Sequence, residues 1–265
     1  MKLRLSGEFA YQLFALLIAI IVVHSVYATV IRPEARAIEM EQRAMIIENS
    51  DYVPERSLLI IVRDYEQEFC FILLLWALAL LVYKAQGVAR QRTLLDTDLL
   101  SLPPGQALLP EDARKQARAI EALPEPDRNY LYPRALLTAL HRFRSTRNIQ
   151  DVADSVNSVC DAEIERLESE LSMIRYIAWA IPSIGFIGTV RGIGEALGLA
   201  HKAIEGDISG VTASLGVAFN STLIALLLSI VLMFFLYQLQ LVQERLVLDT
   251  QTACDRELIQ NLQSQ

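Results

Sequence analysis

The chain has 265 residues, 53% of them hydrophobic, with a formal net charge of −7 and three cysteines. The apolar residues sit in long blocks, which points to membrane spans rather than to one soluble core. Basic residues form no cluster or aromatic-interleaved face, so nucleic acid is not an expected partner. The cysteines (Cys70, Cys160, Cys254) and histidines (His24, His141, His201) are scattered without metal spacing. No metal, no cofactor and no nucleophile–base cluster is expected, and an enzyme is disfavoured.

A hydrocarbon core needs roughly 20 helical residues. Phe9 to Ile31 is free of charge and makes residues 1–31 the first span. Lys2, Arg4 and the small-residue triplet Val26-Tyr27-Ala28 also fit a signal peptide, but the apolar run is long for one. Residues 32–68 read as an external helical segment, a cap lying against the outer membrane face. Within it, Pro54 opens a helix running through Leu58–Val62 towards the next span. The second span is 69–89, provided that Lys84 snorkels.

Residues 90–173 read as a cytoplasmic helical domain. Ser101-Leu-Pro-Pro-Gly105 is a break, and Pro110 with Glu111-Asp112 starts a helix that ends near Pro124-Glu-Pro126. Another helix begins at Pro133, with Leu136, Leu137, Leu140 and Phe143 on one face. From about Gln150, Val152, Val156, Val159, Ile164, Leu167, Leu171 and Ile174 recur at helical spacing. No breaker separates that stripe from the third span, 174–200. The fourth span, 208–237, lies within a charge-free stretch from Ile208 to Gln243 and continues as a cytoplasmic helical tail, 238–265. The fold expected is an all-α membrane protein: four transmembrane helices, with long helices extending into the cytoplasm.

Charge decides sidedness weakly. The 32–68 segment has five arginines against nine acids, and residues 84–175 have thirteen basic residues against fourteen acids. Lys2 and Arg4 tip the N-terminus inward, which makes both termini cytoplasmic.

In the third span Gly185, Thr189, Gly192 and Ala196 share a face that lets another helix approach closely, and Gly188 belongs to the same small-residue run. Pro182 frees a backbone carbonyl one turn earlier, which needs another partner. In the fourth span Ser214, Ala218, Thr222, Ala225 and Ser229 share a face, with Asn220 and Ser221 beside it. Arg191 and Glu195, spaced i, i+4, are charges within the third span and form an intramembrane ion pair that either packs or conducts. No span contains Asp, so a proton carrier belongs on another subunit.

Ile184-Gly-Phe-Ile-Gly-Thr-Val-Arg-Gly-Ile193, preceded by Ile181-Pro182, resembles the GLxGTVxGI core of the MotA/TolQ/ExbB ion-channel family. Ser214 to Leu226 resembles that family's partner motif in the next span. The likeness covers roughly Gln150 to Gln240. It implies a homopentameric ring in the bacterial inner membrane around two copies of a single-span MotB/TolR/ExbD-like subunit bearing the ion-binding Asp. It also implies an ion path past Thr189, Thr222, Pro182, Ser214, Ser221 and Asn220, carrying protons or, alternatively, sodium. Gly185, Gly188 and Gly192 would pack the helices. Some members carry Glu where this chain has Val217, so a relay through that position is not expected. The span count is MotA-like, while the third-span motif is closer to TolQ and ExbB. The readings are therefore a ring subunit of an ion-driven motor, a structural envelope scaffold, or a solute transporter. Four spans without an inverted repeat disfavour the transporter.

Overall fold

A computed structural model describes residues 7–48, 57–100 and 107–263. The described residues are almost wholly helical. Helix α1 (Gly7–Val26) passes through a π-helical turn at Tyr27–Ile31 into α2 (Arg32–Glu48). A short α3 (Leu58–Val62) precedes α4 (Tyr65–Leu95), and α5 (Ala113–Glu121), α6 (Glu125–Arg128), α7 (Leu131–Thr146) and α8 (Ile149–Glu170) follow. Then come α9 (Ser172–Gly198), α10 (Ala200–Ile204) and α11 (Ser209–Glu257). Four helical stretches are long and apolar enough to cross a membrane: Gly7–Ile46, Tyr65–Leu95, Ile149–Gly198 and Ser209–Asn261. They have 40, 31, 50 and 53 residues, against the roughly 20 that a hydrocarbon core requires.

Several local expectations need correction. The boundary at residue 31 is not a helix end: the first helix runs on through the π turn into the 32–68 segment, as far as Glu48. Pro54 lies outside the described residues. The helix downstream of it starts at Leu58, where the Ser57 hydroxyl accepts from the Leu59 N–H at 3.3 Å. That helix stops at Val62 and does not merge with the second span. The 101–105 break is also outside the described residues. Helix α7 begins two residues before Pro133, which its first turn tolerates because the missing N–H has no intrahelical partner there. Lys84 has a partner that its sequence position does not announce: its ammonium lies 2.8 Å from Glu170, with a side chain only 10% exposed.

The chain divides into two compact units, Met1–Leu81 with Met173–Leu236, and Val82–Ser172 with Tyr237–Gln265. In the first, α1 buries only Ala19 and turns Leu13, Phe14 and Leu17 outward. Such a surface is costly in water and ordinary in lipid. Polar anchors tie α1 to α4: Tyr11 donates to the Ala79 carbonyl at 3.2 Å, and the Trp76 indole donates to the Gln12 carbonyl at 3.0 Å.

The second unit has a conventional apolar core. Leu131, Leu136, Leu140 and Phe143 of α7 pack with Val152, Val156 and Leu167 of α8 and with Val247 and Leu258 from the tail. Of the predicted stripe, Val152, Val156, Val159 and Leu167 face this core and Ile164 is exposed, while Leu171 and Ile174 fall beyond the end of α8. Asn148 caps α8 by accepting from the Gln150 N–H at 2.9 Å. Glu163 is buried but paired, 2.6 Å from Arg134 and 3.4 Å from Arg166, which offsets the cost of taking its charge out of water. Tyr132 donates to Glu257. Burial, reinforced by that carboxylate, pushes the Tyr132 phenol well above its ordinary range.

Candidate functional site

The site is the helical hairpin of α9 and α11. Pairing runs antiparallel from Ala178 with Ser229, through Gly185 with Ala225, to Gly192 with Ser214. Small residues make it possible. A Cβ on Gly185 would overlap that of Ala225, and one on Gly192 would come within 2.6 Å of the Ser214 carbonyl oxygen. Contact this close brings the backbones near enough for side-chain hydroxyls to reach carbonyls on the opposite helix.

Thr189 and Thr222 meet there. Their hydroxyls are in direct hydrogen-bond contact, the Thr222 hydroxyl also donates to the Gly185 carbonyl at 3.1 Å, and Thr189 lies 3.0 Å from the Ala218 carbonyl. Each hydroxyl has one proton. A chain in which Thr189 donates to Thr222, and Thr222 to Gly185, therefore satisfies both. Ser221, almost fully buried, lies 3.0 Å from the Ala218 carbonyl and 3.3 Å from that of Gly185. Its hydroxyl fills the notch left by Gly188, where a Cβ would meet the Ser221 Cβ at 2.6 Å.

Pro182 sits inside α9, half-buried. Lacking an N–H, it cannot bond the Ala178 carbonyl one turn back. Ser229 supplies the missing donor, with its hydroxyl 2.9 Å from that oxygen. The sequence announces the orphaned carbonyl but not its partner, 51 positions away. Ser214 is buried, its carbonyl packed against Gly192. Asn220 is half-buried and takes no part in this hydroxyl cluster.

Arg191 and Glu195 do pair, at 2.8 Å, but Arg191 has a second acidic partner that sequence reasoning missed. Glu66, in the first turn of α4, accepts from Arg191 Nε at 2.6 Å and from Nη2 at 2.9 Å. Glu66 and Glu68 lie just before the second apolar run and look like ordinary polar flanks. Only the fold shows that Glu66 reaches a residue 125 positions away. Glu68 belongs to a separate cluster, bonded to Arg32 and lying 2.7 Å from His24. No group of three or more His, Cys, Asp or Glu able to hold a metal occurs among the described residues.

Chemically, the hairpin offers neutral oxygens in an apolar surround: two threonine hydroxyls, a serine hydroxyl and two carbonyls. Such groups can orient or partly dehydrate a passing cation but cannot store a proton. Residues 128–252 match the model of the MotA/TolQ/ExbB proton channel family. No curated protein and no solved structure matches the chain. Residues 128–252 hold both threonines and the whole glycine stripe, so the likeness to the MotA/TolQ/ExbB proton channel family falls on the hairpin itself.

Proposed function

We propose that the chain is the ring subunit of an ion-driven motor or energiser in a bacterial inner membrane, with its termini and its middle loop cytoplasmic. The observation that carries this reading is the meeting of Thr189 and Thr222 across α9 and α11, within the stretch that matches a proton-channel family. Five copies would surround two copies of a single-span subunit whose intramembrane Asp supplies the titratable carrier. Thr189, Thr222 and Ser221 would line the ion's route past that Asp, Ser214 and Asn220 would extend it, and Pro182 would shape the helix beside it. Ion flow would then turn one component against the other, without enzymatic chemistry in this chain. Protons are the expected ion. Sodium is the alternative, since Ser221, Thr222 and the Gly185 carbonyl group three oxygens.

The test is Thr189→Val and Thr222→Val in the full chain, purified with whatever single-span protein accompanies it. Assembly should persist while proton uptake, followed with a pH-sensitive dye with and without sodium, is lost. Normal uptake in both variants would refute the ion path. One observation favours a second reading, an envelope scaffold: the hydroxyls of Thr189, Ser221 and Thr222 all find partners inside their own hairpin. Plain helix packing would produce the same contacts. Under that reading the valine variants lose stability, no Asp-bearing partner co-purifies and no flux is measured in the parent chain.

A further inference from the structure

Arg191 occupies the variable position of the third-span motif, and Glu66 comes from α4, outside the stretch matched to the family. The contact between them is fork on fork, through Nε and Nη2 to the two carboxylate oxygens. Such a bidentate pair fixes direction as well as distance. The two acids on Arg191 are not equivalent. The Glu66 side chain is 12% exposed and that of Glu195 48%. The pair with Glu66 is therefore the more shielded one, and the i, i+4 pair with Glu195 is a weak surface contact.

Gly188 is what lets Glu66 in. A Cβ at that position would stand 3.2 Å from Glu66 Cγ on one side and collide with Ser221 on the other. Glu66 also sits in the first turn of α4, where the helix dipole favours a carboxylate. A single turn of α9, Gly188 to Arg191, thus touches both neighbouring helices and carries Thr189 between its two contacts. A smooth glycine face allows close approach but resists sliding and rotation poorly. A directional bridge two residues from Thr189 supplies that resistance.

We propose that the Glu66–Arg191 bridge is a positioning element that holds α9 in the rotation at which Thr189 meets Thr222, with α4 as the fixed post. The proposal rests on the ion-path reading of the two threonines only for its importance to conduction. What it states about their placement is measured separately. The experiment is disulfide trapping in native membranes. The full chain carries Thr189→Cys and Thr222→Cys, with Cys70, Cys160 and Cys254 replaced by alanine. Trapping should be efficient in that parent and fall about ten-fold with Glu66→Gln. It should return when Glu66→Arg is combined with Arg191→Glu, and stay at the parent level with Glu195→Gln. Ring assembly, read on a native gel from the same samples, should be unchanged throughout. If Glu66→Gln fails to assemble, Glu66→Asp carries the test, because it keeps the charge but withdraws it by one methylene; trapping should then fall part-way.

Parent-level trapping in an assembled Glu66 variant would overturn the proposal, as would loss of assembly in both Glu66→Gln and Glu66→Asp, or an equal fall with Glu195→Gln. Normal flux in both Thr189→Val and Thr222→Val alongside the expected trapping pattern would refute the ion path and leave the positioning role standing.

Discussion

Gly192→Ala tests the close approach on which the hairpin depends. The added methyl would lie 2.6 Å from the Ser214 carbonyl oxygen and 2.8 Å from both the Cβ and the backbone nitrogen of Ala218. Ordinary contact begins at about 3.5 Å, so α11 must withdraw locally by nearly 1 Å. Two of the three obstacles are backbone atoms, which cannot swing aside as a side-chain tip can. The cost therefore belongs at the upper part of the ~1–3 kcal/mol range for overpacking. Replacing glycine by alanine inside a helix returns up to about 1 kcal/mol. The net expectation is about 1–2 kcal/mol of destabilisation. Gly194→Ala and Gly216→Ala are the controls: a Cβ at either meets nothing within 4 Å, so each should be neutral or stabilising. For a chain of this size each kcal/mol moves the melting midpoint by about 2–4 °C. Gly192→Ala should thus melt about 2–12 °C below Gly194→Ala by fluorescence-detected size exclusion after heating in detergent. A Gly192→Ala protein that melts with or above its control would refute the close-packed hairpin.

Ser229→Ala should cost about 1–3 kcal/mol by leaving the Ala178 carbonyl unpaired. Adding Pro182→Ala should recover most of it, because the substituted residue can donate its own backbone N–H, and a double-mutant cycle on melting midpoints would read the coupling. Arg147 ends α7 in the left-handed region at φ 54° with its N–H bonded to the Phe143 carbonyl at 2.9 Å, so Arg147→Gly should stabilise by about 0.5–1 kcal/mol in the same melting assay. Burial raises the Asp64 carboxyl above its ordinary range, against the opposing pull of Arg63 and Arg191. The folded state then holds that proton more tightly than the unfolded one, so the group's contribution to stability is fully present below its unfolded pKa and is lost as pH rises through the folded value. Asp64→Asn should accordingly raise the melting midpoint at neutral pH and lose that advantage under acid, and a constant difference across pH would contradict the burial argument.

Much of the architecture follows from composition alone. Four apolar blocks became four long helices because each can cross a bilayer and a helix satisfies its own backbone there, and the α8 stripe found the core because its period is helical. The small-residue run in α9 marked the face that meets α11, since only glycine and alanine allow such approach. Other features depend on contacts that no local pattern encodes. Glu66 reads as a polar flank until the fold carries it to Arg191. Ser229 reads as a hydroxyl free to bond its own helix until it is found on the carbonyl that Pro182 abandons. Lys84 sits at the edge of an apolar run, where snorkelling is the ordinary outcome, and only the packing of α4 against α8 supplies Glu170. The continuation through Tyr27–Ile31 was hidden for a different reason. An arginine-proline pair after an apolar run looks like a terminus, but Pro33 falls in the first turn after the π segment, where its missing donor is absorbed.

The hydroxyl cluster limits what this chain can do by itself. Thr189, Thr222 and Ser221 are neutral at any physiological pH and can relay a hydrogen bond but not hold a charge. Glu66 and Glu195 are both engaged by Arg191, so neither is a free carrier for a proton. On the proposed reading, a proton passing the hairpin would be carried by a titratable group on the single-span partner. A neutral lining has a corresponding advantage. It lets the carrier's carboxylate approach, take up a proton and withdraw without leaving a counter-charge behind, so the chain can stay rigid while the charge moves on its partner. Rigidity is what the glycine contacts, the Ser229 bond to the Ala178 carbonyl and the Glu66–Arg191 bridge each contribute, at three successive heights along α9.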